Sequence, residues 1–285
     1  MTPLVSIIMP SYQTAAWIGA AIASVRAQTF PDWELLIVDD GSRDDSLAVI
    51  ERAAEAELGQ RILLTRHAGG LGAARARNLA LAAARGRYVA FLDSDDLWYP
   101  GKLAAQLDHL RATGGAISHH AFELIDEGGA ALDRARHPPA AAEWRQVLAK
   151  NPIGCSSAMI DTALTGARRM PDIAKRQDHG LWLAILGDGH QALGLDRILG
   201  MYRLRANSVS SNKLSAARFQ WRLYRDVVGL SRLRAAGVFL RYAAGHLLGP
   251  GRDRPMDAAE RQARVRAGMH RFLAAAGPAS SGTDA

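Results

Sequence analysis

The sequence predicts an α/β protein, a doubly wound and mostly parallel sheet with a helical extension at its C-terminal end. Three observations carry this. Continuous apolar, β-rich runs alternate with helically spaced segments through the first hundred residues, and such runs between helices imply parallel strands covered on both faces. Acidic clusters and a glycine loop fall where those strands end. Beyond residue 200 the pattern turns helical and basic.

The elements follow in order. Val5-Ser6-Ile7-Ile8-Met9 is the first strand, ended by Pro10. Over 17–28, Trp17/Ile18, Ala21/Ile22 and Val25 recur at helical spacing. Residues 34–38 read as a second buried strand leading into Asp39-Asp40-Gly41-Ser42, and Ser42 with Asp45 starts a helix over 44–58. Residues 61–65 are a third strand, Gly69-Gly70-Leu71-Gly72 a loop, and an alanine-rich helix follows to Ala84. A fourth strand over 88–92 ends at Asp93-Ser94-Asp95-Asp96. Further strands are expected at 117–122, 156–160 and 198–204, and helices at 142–150 and 178–186. Everything beyond Lys213 reads as helix, up to a Gly-, Pro- and Ser-containing tail from Ala274. The expected divisions are 1–212, with halves 1–98 and 99–212, then a basic amphipathic extension at 213–273 and a disordered tail at 274–285.

Composition narrows the function classes. The 285 residues are 48% hydrophobic and 22% charged, which excludes a wholly disordered chain, a collagen-like repeat and a small disulfide scaffold. The formal net charge of +7 is unevenly placed. Residues 1–200 hold 20 Lys and Arg against 23 Asp and Glu, a net of −3; residues 201–285 hold 15 against 5, a net of +10. Such a block suits an anionic partner, a membrane surface or a nucleic acid. Cys155 is the sole cysteine, so no intrachain disulfide can form and a reducing, cytoplasmic setting fits. The first residues lack the basic start of a signal peptide. No run reaches the roughly 18 to 20 apolar residues that span a bilayer; the best, 235–248, contains Arg241 and His246.

The chemistry-bearing residues sit at predicted strand ends. Three carboxylates in Asp93-Ser94-Asp95-Asp96 repel one another unless a cation sits among them, and hard cations such as Mg²⁺ or Mn²⁺ take oxygen ligands. The plainer alternative is a solvated acidic turn. Asp39-Asp40 offers a carboxylate to a base or ribose, or simply caps the next helix. Pro10-Ser11-Tyr12 puts an aromatic ring where it suits stacking on a base. Gly69–Gly72 followed by Arg75, Arg77 and Asn78 reads as a phosphate cradle or as a plain loop with solvated arginines. It matches neither G-x-x-x-x-G-K-[ST] nor a G-x-G-x-x-G after strand one, which excludes P-loop and dinucleotide-hydride readings. Asp178, within Arg176-Gln177-Asp178-His179-Gly180-Leu181-Trp182, stands near a helix start whose Leu181, Trp182 and Ile185 form a buried stripe. Held over a pocket, its carboxylate is a candidate general base; alone, it is an N-terminal helix charge. His179 and Cys155 read as packing residues.

Taken together, these motifs resemble family 2 glycosyltransferases of the GT-A fold. The matching residues are 5–12, Val38-Asp39-Asp40-Gly41-Ser42, Ala76-Arg77-Asn78, 91–96, and Gln177-Asp178 through Leu181-Trp182. The likeness spans 4–205, and 202–213 with 224–231 extend it toward the teichuronic-acid, exopolysaccharide and O-antigen branch. The resemblance implies an inverting transfer of a sugar from a nucleotide-diphosphate donor, a UDP-sugar, to a lipid-linked glycan, with Mg or Mn as cofactor. It makes 1–98 the nucleotide-sugar half and 99–212 the acceptor half. Pro10, Tyr12 and Asp40 would hold the base, with Asp39 in support. Arg75 or Arg77 would reach the diphosphate, Asp93 would face the ribose, Ser94 would line the donor site, and Asp95 would bind the metal. Trp98, Gln177 and Trp182 would shape the acceptor side, and Asp178 would be the base.

Two residues depart from the family pattern. Gln13 stands where many relatives have Asn, and Arg205 where many have a metal- or diphosphate-binding His. An arginine cannot ligate a metal, so Arg205 is expected on the diphosphate itself. On a helix of 3.6 residues per turn, Arg218, Arg222, Arg225 and Arg232 fall within about 80°, opposite Phe219, Leu223, Val227 and Leu230. This face suits an anionic membrane surface, placing the protein in the cytoplasm or on the inner face of the plasma membrane; packing onto the preceding domain is the alternative. Rival classes fare worse. A nucleotidyltransferase needs a basic glycine-rich loop after strand one, and 10–16 has neither glycine nor basic residue. A nucleic-acid binder lacks a recognisable module, so no nucleic acid is expected as partner. An inactive scaffold sits poorly with Asp40, Asp95 and Asp178 all in place.

Overall fold

A computed structural model describes residues 2–56, 61–205, 213–247 and 253–274. Its first half alternates β1 (Val5–Ser11), α1 (Ala15–Arg26), β2 (Trp33–Asp39), α2 (Ser46–Glu55), β3 (Ile62–Arg66), α3 (Ala73–Ala83) and β4 (Tyr88–Phe91). β1 lies between β2 and β4, with β3 outside β2, all parallel. Val5, Ile7 and Met9 of β1 face a cluster containing Ile18, Ala21 and Ile22 of α1. Ile8 faces the opposite cluster, with Ala76 and Ala80 of α3. β1, β2 and β4 are covered on both pleat faces, which is why they read as unbroken apolar runs, whereas β3 is mostly exposed at the edge. Ser6 is a buried polar residue within β1. Its hydroxyl donates to Glu34 Oε1 at 2.6 Å and accepts from the Gly86 amide at 2.8 Å.

The second half adds β5 (Leu97–Trp98), α4 (Lys102–Thr113), β6 (Ile117–Ile125), β7 (Ala131–Arg136), β8 (Ala141–Ala142), α5 (Trp144–Ala149), β9 (Ala158–Asp161), α6 (Thr162–Thr165), α7 (Gln177–Gly187) and β10 (Ala192–Arg203). β9 runs antiparallel between β4 and β6, and β10 lies parallel along the other edge of β6. α8 (Lys213–Arg222) continues into a π-helical turn at Leu223–Val227, and α9 (Arg232–Leu247) follows. β11 (Asp253–Pro255) pairs antiparallel with β7, and α10 (Ala258–Arg266) and α11 (His270–Ala274) close the described chain.

The α/β expectation holds, with differences that have physical reasons. β1 runs through Pro10 because β4 pairs only as far as Ile8, so the missing amide interrupts no ladder on that side. α2 starts at Ser46 rather than 44. Asp44 accepts the Ser46 amide at 3.1 Å, while the Ser42 hydroxyl is taken up by Asp39 at 2.6 Å. Leu58, at the end expected for that helix, lies outside the described residues. The strand expected at 156–160 begins at Ala158, after a 3₁₀ turn at Cys155–Ser157.

The C-terminal block departs most. Its expected single basic face does not form, because the π turn and Gly229, at φ +74°, interrupt the helix. Arg222 instead pairs with Asp226 at 3.3 Å, and Arg225 donates to the Leu230 carbonyl. Leu223, Tyr224 and Ala235 enter the same cluster as Leu181 and Trp182, and the Tyr224 hydroxyl donates to the Leu148 carbonyl at 2.9 Å. The apolar side of α8 and α9 therefore packs on the sheet domain. Residues 206–212, which carry the expected boundary and the Asn207–Asn212 likeness, and 275–285 of the expected tail lie outside the described residues. No described helix is long and apolar enough to cross a membrane.

If the extension shares the core, Leu223→Ala should destabilise the whole chain by about 2–5 kcal/mol, as large-to-small changes at buried leucines do. Urea denaturation should show one shifted transition; a loss below about 1 kcal/mol would mean that Leu223 is peripheral.

Candidate active site

A cleft of about 920 Å³ opens beyond the ends of β1, β2 and β4. Ligands of doubly wound sheets bind at such carboxyl ends, and the volume is at the upper end of the ~300–1,000 Å³ usual for ligand sites.

The end of β4 supplies its charge. Asp93 pairs with Arg77 of α3, Asp95 Oδ2 accepts Arg205 Nη1 at 3.0 Å, and Asp96 turns inward. Asp96 accepts the Ser156 hydroxyl at 2.5 Å and the Arg203 amide at 2.9 Å. Burial, then the charges of Asp95 and Asp93, hold Asp96 well above the usual carboxylate range. Burial and Asp93 push Asp95 up as well, against the pull of Arg205. Arg205 lies over the Trp17 ring at 4.0 Å. Arg77 is buried, and its Nε and Nη1 have no partner among the described residues.

Another part of the lining is a set of interlocked turns. Tyr12 stands 58% exposed at the cleft, beside Pro10. Gln13, at φ +54°, accepts the amides of Arg43 and Asp44 through Oε1, both at 3.1 Å. Asp39 is buried and accepts the Ser42 amide at 2.9 Å and the Ser11 hydroxyl at 3.1 Å. Asp40 faces the cleft, yet its carboxylate accepts the Leu71 amide at 2.9 Å and the Gly72 amide at 2.8 Å. The glycine loop therefore spends these two donors on Asp40, so the expected phosphate cradle is not formed by them.

α7 brings the remaining carboxylate. Gln177 and Asp178 of its first turn line the cleft, with Lys175 and Arg176 just before them. Burial raises the Asp178 carboxyl pKa, opposed by the His179 amide and the charges of Arg77 and Arg176. A carboxylate poised in this way can take a proton from a substrate hydroxyl. His179 is structural, with Nε2 2.8 Å from the Val147 carbonyl.

Residues 6–172 match the model for glycosyl transferase family 2. The chain belongs to that family. This family 2 glycosyltransferase is 40% identical over 241 residues to TuaG of Bacillus subtilis (strain 168), named as a teichuronic acid biosynthesis glycosyltransferase, covering 85% of this chain and 95% of TuaG. It is 36% identical to WfgD of Escherichia coli, named a UDP-Glc:alpha-D-GlcNAc-diphosphoundecaprenol beta-1,3-glucosyltransferase, covering 79% of this chain and 87% of WfgD. The fold is GT-A. It is similar to that of the Pyrobaculum calidifontis mannosyltransferase PcManGT in complex with GDP-Man and Mn²⁺, with a TM-score of 0.63 at 18% identity, over 97% of this chain and 86% of that one.

Pro10, Tyr12, Asp40, Arg77, Asp93, Ser94, Asp95, Gln177, Asp178 and Arg205 all line the one cleft of this glycosyltransferase. Four expected site residues do not. Arg75 points to the surface and pairs with Asp172 at 2.6 Å; two positions along α3 turn it about 200° from Arg77. Trp98 is fully buried, its indole donating to the Ser156 carbonyl at 2.7 Å and its ring under Lys102 Nζ at 3.6 Å. Trp182 is fully buried, edge-on to Phe91 at 5.5 Å. Asp39 acts from behind the wall. Conversely, Lys175, Arg203, Tyr202, Cys155 and Ala216 of α8 line the cleft unforeseen. Burial pushes the Cys155 thiol up, in keeping with a packing role. Among the described residues no three His, Cys, Asp or Glu side chains are grouped to hold a metal.

Gly41 fixes the wall at φ +76°, and a Cβ there would lie 2.7 Å from the Gly69 Cα. Gly41→Ala should cost about 1–3 kcal/mol and shift thermal unfolding downward; an unchanged midpoint would show that the loop yields freely.

Proposed function

We propose that this glycosyltransferase moves a hexose from a UDP-sugar to a glycan carried on a lipid diphosphate, by a single inverting displacement with Asp178 as base. The observation that carries this is the cleft itself. It gathers an exposed aromatic ring, a buried arginine with two nitrogens unpartnered among the described residues, a carboxylate pair and the Asp178 carboxylate. The names of TuaG and WfgD support the pathway class and the donor.

Tyr12 and Pro10 pack the base, while Asp40 and Asp39 hold the turns that form its wall. Asp93 and Ser94 face the ribose. Arg77, rather than Arg75, reaches the diphosphate, with Arg205 beside it; planar guanidinium groups suit phosphate oxygens. Gln177 borders the acceptor. Asp178 accepts the acceptor hydroxyl's proton as that oxygen attacks the anomeric carbon on the face opposite the nucleotide. The anomeric C–O bond to the diphosphate breaks, and its electron pair leaves on UDP, whose growing charge Arg77 and Arg205 stabilise.

The residues fit a divalent cation at Asp95. Arg205 meets one of its oxygens, Oδ2, at 3.0 Å, while burial and the charge of Asp93 still push the carboxyl up, and carboxylate oxygens suit Mg²⁺ or Mn²⁺. Once bound, such an ion would supply positive charge beside the leaving diphosphate.

The outer side of α9 offers a membrane contact. Leu233 is 88% and Leu240 69% exposed, one pair of helical turns apart, and Arg234 and Arg241 beside them are exposed too. Apolar residues flanked by arginines suit an anionic lipid surface on which a lipid-linked acceptor resides.

The deciding experiment measures nucleotide release from UDP-glucose, UDP-galactose, UDP-GlcNAc and GDP-mannose with Mg²⁺ or Mn²⁺, with and without a GlcNAc-diphosphate lipid. Release from a UDP-sugar that rises with the lipid is expected; release from GDP-mannose alone would refute the donor class. Asp178→Asn should bind UDP normally but lose about 10²- to 10⁴-fold in kcat; near-normal turnover would remove it as base. Since Asp178 works only when ionised and burial raises its pKa, kcat/KM should fall as pH drops through a value above ~4, the usual carboxylate range. Asp95→Ala should weaken Mn²⁺-dependent UDP binding in calorimetry, and an unchanged affinity would exclude Asp95 as ligand.

A further inference from the structure

We infer that Tyr242 of α9 is a positioning residue for the active site: by holding Arg176 it fixes the first turn of α7 and so places Asp178. This rests on Asp178 as base, and makes the C-terminal helical extension a support of the catalytic site.

Arg176 immediately precedes Gln177 and Asp178, and its backbone sits at φ +68°, ψ +17°. Residues other than glycine enter this left-handed region only where the surroundings hold them. Two contacts do so. The Arg176 carbonyl accepts the Gly180 amide at 2.9 Å, closing the first turn of α7. Its side chain reaches across to α9, where Nη2 donates to the Tyr242 hydroxyl at 3.1 Å. Tyr242 is itself braced, since its ring lies 5.9 Å from Phe239, which meets Trp221 edge-on at 6.0 Å. Gly180 adds a tight seat on the same turn. A Cβ there would lie 2.4 Å from Pro171 Cγ and 3.3 Å from Leu223 Cδ1, so the turn is pressed between its own loop and the C-terminal segment. A loosened Arg176 lets this turn, and Asp178 with it, relax; misplacing a catalytic group by about 1 Å can cost 10²-fold in rate.

The test uses the full chain with Tyr242→Phe, which removes only the hydroxyl, Arg176→Gly, which removes the side chain but accepts the backbone, and the double variant. Each is assayed for UDP release with the UDP-sugar that the wild type turns over. Tyr242→Phe should lower kcat about tenfold with the donor KM within twofold, and should add nothing in the Arg176→Gly background. Hydrogen exchange without substrate should quicken severalfold at 177–181 in both single variants. A kcat within twofold of wild type, additive effects in the double variant, or unchanged exchange at 177–181 would overturn the inference. Asp178→Asn separates the two readings: if it retains turnover the base assignment fails, and the exchange data still judge the Tyr242 contact.

Discussion

The repulsion among three carboxylates at the end of β4 is the constraint to which the rest of the cleft answers. Asp93, Asp95 and Asp96 follow one another within four residues, partly withdrawn from water, where like charges interact strongly. Each is met by a different part of the chain. Arg77 comes from α3, Arg205 from just past β10, and Asp96 is closed off by Ser156 and the Arg203 amide. Arg203 then spreads the tie, its Nε donating to the Asp95 carbonyl at 2.8 Å and its Nη1 to the Glu127 carbonyl at 3.0 Å. One acidic turn thus joins the parallel block to β10 and to the loop after β6.

These pairings differ in what they leave available. Asp96 is sealed by a hydroxyl and an amide, so it serves the architecture. Asp93 and Asp95 face the cleft with arginines as partners, and an arginine can exchange a carboxylate for a phosphate at little change in geometry. The charge asymmetry of the sequence reads differently in this light. Arg205 belongs to the basic C-terminal block, yet it is a counter-ion of Asp95 in the acidic first 200 residues, and Arg203 from the same block is spent on carbonyl oxygens there. Arg264 is likewise a counter-ion there, reaching Glu123 at 3.2 Å and Asp133 at 2.9 Å. Part of the +10 block is internal neutralisation, and only the remainder, such as Arg234 and Arg241, is left for an outside partner.

What the sequence disclosed follows the strength of local signals. β1, β2 and β4 were legible because burial on both faces leaves no polar alternation to confuse. β3 was read from its short apolar run despite its exposed edge position, and the acidic ends followed from where β2 and β4 stop. α4 and β7 went unread, β7 being mostly exposed on the sheet's edge, and β11, expected as helix with everything beyond Lys213, is a strand of only three residues that pairs with β7. Arg75 and Arg77 were separable in principle, since Ala74, Arg77 and Ala80 share the buried side of α3. Trp98 and Trp182 misled because an aromatic beside a motif looks like a ligand contact, whereas large rings are more often core. The pairing of Arg176 with Tyr242, 66 residues apart, left no local trace at all.

α9 joins these strands of argument because it has two different faces. Inward, Ala235 is fully buried and Tyr242 meets the residue that opens α7. Outward, Leu233 and Leu240 stand in solvent beside arginines. A helix wedged in this way cannot rotate to bury its leucines without exposing Ala235 and releasing Arg176, and close-packed cores resist such continuous deformation. The exposed leucines are therefore fixed in place by the same contacts that hold the first turn of α7. α9 thus presents these leucines on one side and, on the other, holds Arg176, the residue just before the first turn of α7.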